Sequence, residues 1–244
     1  MIAVVDIGNT RTKCGLFDGQ GRLEKSTSFP TGGGIPSEGT SFFEKFSGAV
    51  IGSVVPTLTP LWERLFLDHG VHAHVASAAS PWGFAIETEN PEKTGVDRLA
   101  NLEGALSFPG SLLVIDAGTA TKYDLLEGMS KRSFPGGAIA PGVEISFEAL
   151  LAQTAQLPRI ELAKHSPVVG YNTETAIRSG VLHGFAAQVD GMILRILDER
   201  KLPPSTVIIA TGGNAHFLHG RARFVTHLKP HLTLDGLYAL SRKV

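Results

Sequence analysis

Two acids in this chain stand directly ahead of glycine turns, among the side-chain types that phosphate chemistry uses. In Val4-Val5-Asp6-Ile7-Gly8-Asn9-Thr10-Arg11-Thr12-Lys13 the acid follows an apolar run and precedes hydroxyl, amide and cationic groups. Gly8 permits close backbone approach, Asn9, Thr10 and Thr12 offer hydrogen-bond donors, and Lys13 offers a mobile point charge. Like charges a few ångströms apart in a poorly hydrated site repel strongly, so Asp6 asks for a cation between itself and a phosphate. Magnesium suits that place, because hard cations are held by one or two carboxylates plus phosphate oxygens. Taken alone, the stretch also reads as a plain hairpin turn, with Lys13 a solvated strand side chain.

The motif has a twin. Asp116-Ala117-Gly118-Thr119-Ala120 again follows a Val/Ile-rich run, and two copies in similar element orders point to a duplicated domain with a phosphate turn on each wall of one cleft. A third constellation is Thr94-Gly95-Val96-Asp97-Arg98. There the forked donors of Arg98 suit a carboxylate ligand, and Asp97 is placed to cap a helix from Arg98 to Leu106. Thr173, in Gly-Tyr-Asn-Thr-Glu-Thr, likewise reads as a helix cap, and Ala-Thr-Gly-Gly-Asn-Ala (210–215) as a strand-to-helix turn. His72 and His74 share a strand face, and His216 and His219 lie a helical turn apart. Neither pair has a third ligand, so both read as solvated histidines rather than metal sites. Cys14 is the only cysteine, which rules out an internal disulfide and suits a strand face better than a nucleophile.

The elements that must position these groups follow from periodicity. Residues 2–6, 11–17 and 23–29 read as strands, 49–55 as a buried strand, 58–68 as a helix stopped by Gly70, and 71–77 as a returning strand. The second half begins again with strand, turn and strand over 112–127 and continues through a Gly/Pro-rich stretch. A long helix from about 174 to 201, a strand at 206–213 and a final helix at 235–242 complete it. This order predicts an α/β fold of two similar domains, residues 1–110 and 111–244, each a mixed sheet of five-strand type with flanking helices. Twenty-two basic against 23 acidic side chains, without a long basic run, disfavour nucleic acid as a partner. No apolar stretch approaches the roughly 18 residues of a membrane helix, and the early Asp6 is unlike a signal peptide, so a cytoplasmic enzyme without a membrane partner is expected.

The motifs resemble those of type III pantothenate kinases, within the superfamily of actin, sugar kinases and heat-shock chaperone ATPases. The resemblance rests on six segments in order. They are DIGNTRTK (6–13), NPEKTGVDRLAN (90–101), DAGTATKYD (116–124), GGAIAPGVEIS (136–146), GYNTETAIRSG (170–180) and LTLDGL (232–237). It implies two ribonuclease H-like domains facing across a nucleotide cleft. It also implies an ATP-dependent transferase making 4'-phosphopantothenate for coenzyme A biosynthesis, with magnesium, a potassium or ammonium ion, and a homodimeric assembly. Asp97 then resembles the catalytic base, with Gly95, Val96, Asp97, Arg98 and Thr173 on pantothenate. Asp6, Ile7, Gly8, Asn9, Thr10, Arg11, Thr12, Lys13 and Thr119 match the ATP segments, Asp6 is the magnesium carboxylate and Asp116 holds the monovalent cation. Activity is then expected to rise when sodium is exchanged for potassium or ammonium. Residues 210–215 fit the adenosine-side loop. Two positions depart from the pattern: Thr88 stands where a tyrosine is usual near the substrate, and Lys122 replaces the last residue of Thr-Ala-Thr-Thr. Other readings of the same residues are a kinase or phosphohydrolase for another small metabolite, and a non-catalytic nucleotide-binding regulator.

Overall fold

Val4, Val5 and Ile7 leave β1 (Ile2–Ile7) buried on both faces, which only a central place in a sheet satisfies. The computed structural model describes residues 1–43, 45–154 and 156–244. After β1 the chain runs through β2 (Arg11–Phe17), β3 (Leu23–Pro30), α1 (Ser37–Ser41), β4 (Gly48–Ser53), α2 (Thr59–Asp68), β5 (Ala73–Val75), β6 (Ala85–Ile86) and α3 (Val96–Gly104). It continues with β7 (Leu112–Ala117), β8 (Ala120–Glu127), β9 (Ser133–Pro141), α4 (Val143–Ala152), α5 (Thr173–Glu199), β10 (Val207–Thr211), β11 (His227–Leu228) and α6 (Leu232–Ser241). No helix among the described residues is long and apolar enough to cross a membrane.

The chain divides into two units. The first comprises residues 1–108, 131–135 and 231–244, and the second 109–130 and 136–230. A single boundary between 110 and 111 therefore misses a return: α6, at the far end of the sequence, belongs with the first unit. The first sheet has the order β3-β2-β1-β4-β5, antiparallel from β1 through β3 and parallel from β1 through β5. Side chains alternate across it. Ala3, Val5 and Ile7 join Trp62 and Phe66 of α2 on one face, while Val4 meets Val96, Leu237 and Leu240 of α3 and α6 on the other. The second sheet has six strands rather than five, since the short β6 pairs with the start of β9, and its run β9-β8-β7-β10-β11 repeats the first sheet's pattern, with β7 antiparallel to β8 and parallel to β10. Its core is the α5 face of Leu182, Phe185, Val189, Ile193 and Leu197, a helical stripe laid over β7 and β10.

Helices α3 and α6 pack backbone to backbone. A Cβ on Gly236 would overlap the Ala100 carbonyl, and one on Gly104 would stand 2.5 Å from the Leu232 carbonyl oxygen. Only glycine fits at 236, which gives the LTLDGL segment a structural reason. Gly236→Val is expected to destabilise the protein by roughly 3 kcal/mol, the upper end of ordinary overpacking. An unchanged Tm would show that the two helices separate without cost.

Candidate functional site

Asp6 stands one residue before the end of β1, ahead of a turn whose Gly8 N–H donates to the Arg11 carbonyl at 3.1 Å. The turn is braced from behind by Thr31, whose hydroxyl donates to the Gly8 carbonyl at 2.7 Å and whose N–H donates to the Thr10 carbonyl at 3.0 Å. Register sets Lys13 directly across from Asp6, with Nζ 3.9 Å from Oδ2, and the aspartate is only 7% exposed. Asn9 and Thr10 lie exposed at the tip. Ile7 and Thr12 are buried, and the Thr12 and Thr31 hydroxyls share a 3.0 Å hydrogen bond. Arg11 is drawn onto β3 instead, donating to the Ser28 hydroxyl at 2.8 Å and carbonyl at 2.7 Å. Burial, and then the Asp6 charge, push the Cys14 thiol far up, which fits its reading as an inert strand residue.

The Gly95–Arg98 segment opens α3 at the same end of this sheet. Val54 donates its N–H to the Ile7 carbonyl at 3.0 Å just past β4, and a Cβ on Gly95 would stand 4.0 Å from Val54 Cγ1. Val96 reaches back to β4, 3.4 Å from where a Gly52 Cβ would be. The cap of α3 is Gly95, so Asp97 lies inside the first turn instead of at the cap position expected for a helix starting at Arg98. Its Oδ1 accepts from the Arg98 N–H at 2.9 Å and curls over Gly95, where a Cβ would come within 2.6 Å of that oxygen. A negative charge there is favoured by the positive end of the helix dipole. The Arg98 guanidinium lies 5.1 Å from the centroid of the Phe134 ring, which is fully buried and anchored where β9 pairs with β6. Thr88, just past β6, shares a 3.2 Å hydrogen bond between hydroxyls with Thr94. Thr31 and Phe134 are supports that sequence reading missed. Each meets its site residue from far along the chain, Thr31 through hydrogen bonds and Phe134 through its ring.

The second unit carries Asp116 at the end of β7, cross-strand from Lys122 and beside Thr211 of β10. Lys122 Nζ donates to Asp116 Oδ2 at 3.1 Å. The turn is one residue shorter than the first, closed by the Gly118 N–H on the Ala120 carbonyl at 3.1 Å, and Thr119 lies exposed on it. The Gly212-Gly213 turn after β10 runs against the acid. Gly212 has a φ of 92°, and a Cβ there would stand 2.6 Å from Asp116 Oδ1, so the double glycine serves both the turn and the close approach. Asn214 ties this turn to the acid's own, its N–H on the Ala117 carbonyl at 2.8 Å and its amide near the Gly118 carbonyl at 3.4 Å.

Thr173 is the first residue of α5, and the cap is its neighbour. The Asn172 side chain accepts from the Thr175 N–H at 2.9 Å, and the Thr175 hydroxyl accepts from the Asn172 N–H at 3.1 Å, a reciprocal capping box. That leaves Thr173 exposed on the wall of a groove of about 800 Å³ between α4 and α5, lined also by Val143, Leu150, Tyr171, Ile177 and Phe185. Tyr171 is 80% exposed beside it and Val169 83%. The histidines have local partners: His74 shares a 3.0 Å hydrogen bond with the Ser80 hydroxyl, and His216 one of 2.8 Å with the Gly213 carbonyl. Among the described residues no group of three His, Cys, Asp or Glu side chains could hold a metal ion.

The sequence profile of the type III pantothenate kinase family matches residues 2–195. A type III pantothenate kinase from Geobacillus thermodenitrificans is 37% identical over 256 residues, covering 100% of this chain and 98% of that one. Among solved structures, one described as a Baf family transcriptional activator from Campylobacter jejuni superposes with a TM-score of 0.62 at 16% identity, over 99% of this chain and 98% of the other. A ROK family glucokinase from Streptomyces griseus, in complex with glucose and AMPPNP, gives a TM-score of 0.53 at 12% identity, over 100% and 99%. At such identities the likeness is one of fold, and the fold is that of actin-like sugar kinases.

Proposed function

The chain belongs to the type III pantothenate kinases, which phosphorylate pantothenate with ATP in coenzyme A biosynthesis, and from that premise we propose that Gly95–Arg98 handles the acceptor while the acid-glycine turns serve the nucleotide. One observation carries this division. The Asp6 turn and the start of α3 lie at the same carboxyl end of β1 and β4, the end where open α/β sheets bind ligands.

In this reading Asp97 accepts the proton of the pantothenate hydroxyl as its oxygen bonds to the γ-phosphorus, and the bond to the β,γ-bridging oxygen breaks to release ADP. Arg98, steadied by Phe134, holds the pantothenate carboxylate, with Val96, Thr88 and Thr173 among the acceptor contacts. Asn9, Thr10, Lys13, Thr119 and the backbone of Ile7, Gly8, Arg11 and Thr12 meet the phosphates. Residues 210–215 lie on the adenosine side. Asp6, a nearly buried carboxylate at a strand end, is the residue that would hold magnesium, which supplies charge neutralisation on the phosphates. We place the enzyme in the cytoplasm. A second copy of the chain covers the exposed apolar side chains around the α4–α5 groove, an area of the kind that marks an interface. Sedimentation equilibrium giving one chain per particle would remove the dimer.

The function is tested by coupled ADP release with pantothenate beside a panel of other small alcohols. Pantothenate is expected to be the preferred acceptor, and a better rate on another alcohol would overturn the reading. Arg98→Gln is expected to raise KM for pantothenate roughly 10-fold or more, the equivalent of one lost charged hydrogen-bonding contact. The same substitution is expected to leave KM unchanged for the analogue in which a hydroxymethyl group replaces the carboxylate. An equal effect on both acceptors would take Arg98 off the carboxylate.

A further inference from the structure

The acid of the second turn already has a cation, and the chain supplies it. Lys122 stands directly across the β7–β8 ladder from Asp116, and its ammonium donates to Oδ2 at 3.1 Å. The other carboxylate oxygen faces the Gly212 backbone, close enough to exclude even a Cβ. Both side chains are largely withdrawn from water, 20% and 14% exposed, so salt screens this pair less than a surface pair. A lysine ammonium is a compact unit charge that donates to oxygens all around its head, much as a monovalent ion coordinates them. A potassium or ammonium ion bound to Asp116 would have to displace Lys122 or sit against it, and two cations a few ångströms apart repel. The residues present therefore do not fit a separate monovalent ion at Asp116, contrary to what the family resemblance implies. The first turn repeats the device, with Lys13 across from Asp6 at 3.9 Å, so an acid–lysine pair is part of how both copies of the turn are built.

We propose that the Lys122 ammonium takes the place of the monovalent cation beside Asp116, so that this kinase works without potassium or ammonium. The inference rests on the pantothenate kinase reading and assigns Lys122 as a positioning residue, acting through the Asp116 turn on nucleotide phosphates. The test measures ADP release with pantothenate, and magnesium-ATP affinity by calorimetry, in choline, sodium, potassium and ammonium chlorides at one ionic strength. Wild-type rate and affinity are expected to agree across the four salts within about twofold, less than the roughly fivefold floor of ordinary coupling between two bound ligands. Lys122→Thr is expected to fall in choline and to recover about 5- to 150-fold in potassium or ammonium, the usual range of such coupling. Lys122→Arg keeps the charge and stays indifferent to the salt. A wild-type rate or affinity that climbs more than about fivefold with potassium overturns the proposal. So does a Lys122→Thr protein equally active in choline and potassium. Should Lys122→Thr fail to fold, the wild-type series and Lys122→Arg decide. A protein that phosphorylates no pantothenate in any salt overturns the functional reading instead, and the calorimetric series still reads the cation.

Discussion

Asp97→Asn is expected to lower kcat by about 10²–10⁴-fold while magnesium-ATP affinity and fold are kept, the range a positioned general base supplies. Phosphoryl transfer is loose, with little bonding to the nucleophile at its transition state, which favours the lower half of that range. The geometry makes this substitution clean. An asparagine oxygen accepts from the Arg98 N–H as Oδ1 does, and it meets the same open space over Gly95. What is lost is the negative charge in the first turn of α3, worth about 0.3–1 kcal/mol against the helix dipole. In a chain of this size that lowers Tm by about 4 °C at most. A purely structural Asp97 makes the opposite forecast: Tm falls by the same small amount and kcat is unchanged. Because Gly95 is the cap, loss of a cap cannot be mistaken for loss of catalysis. Near-normal kcat would remove Asp97 as the base.

Local pattern made the hairpins legible, and long-range pairing hid much of the rest. Residues 2–7, 11–17, 112–117 and 120–127 alternate or run apolar as their sheet positions require, so the twin strand-acid-turn units could be read directly. The same holds for α5, whose apolar stripe covers its own sheet. By contrast, β9 and α4 lie where the sequence shows only a Gly/Pro-rich stretch. Pro135, Gly136, Gly137 and Pro141 all disfavour a strand locally, and it forms because β6 and β8 flank it. The place of α6 in the first unit depends on Gly104 and Gly236 meeting across 132 residues of sequence, which no local signal carries. Lys122 was visible as a departure, yet its partner was not. A two-residue turn would set Asp116 opposite Thr121 and send Lys122 to the other face, whereas the three-residue loop Gly118–Ala120 sets Lys122 opposite Asp116.

Asp6→Asn should reverse the effect of magnesium on nucleotide binding. Without magnesium, the wild-type carboxylate repels ATP phosphates, and Lys13 at 3.9 Å offsets only part of that charge. Removing the charge is therefore expected to leave the affinity for metal-free ATP equal or higher. With magnesium saturating, the wild type gains a carboxylate-held cation that the variant lacks. Its affinity should then exceed the variant's by at least about 10-fold, since even indirect disturbance of a metal site costs 10–100-fold in affinity. Calorimetric ATP titrations across a magnesium series should thus show the two proteins crossing. The plain hairpin reading predicts no crossing. There the substitution only weakens a cross-strand charge pair, worth about 0.2–1 kcal/mol of stability and seen as a small drop in Tm. Parallel curves for the two proteins at every magnesium concentration would take the metal away from Asp6. Curves that cross would explain why a phosphate-binding turn begins with an acid: the carboxylate repels the bare nucleotide and recruits its magnesium complex, which selects the form of ATP that reacts.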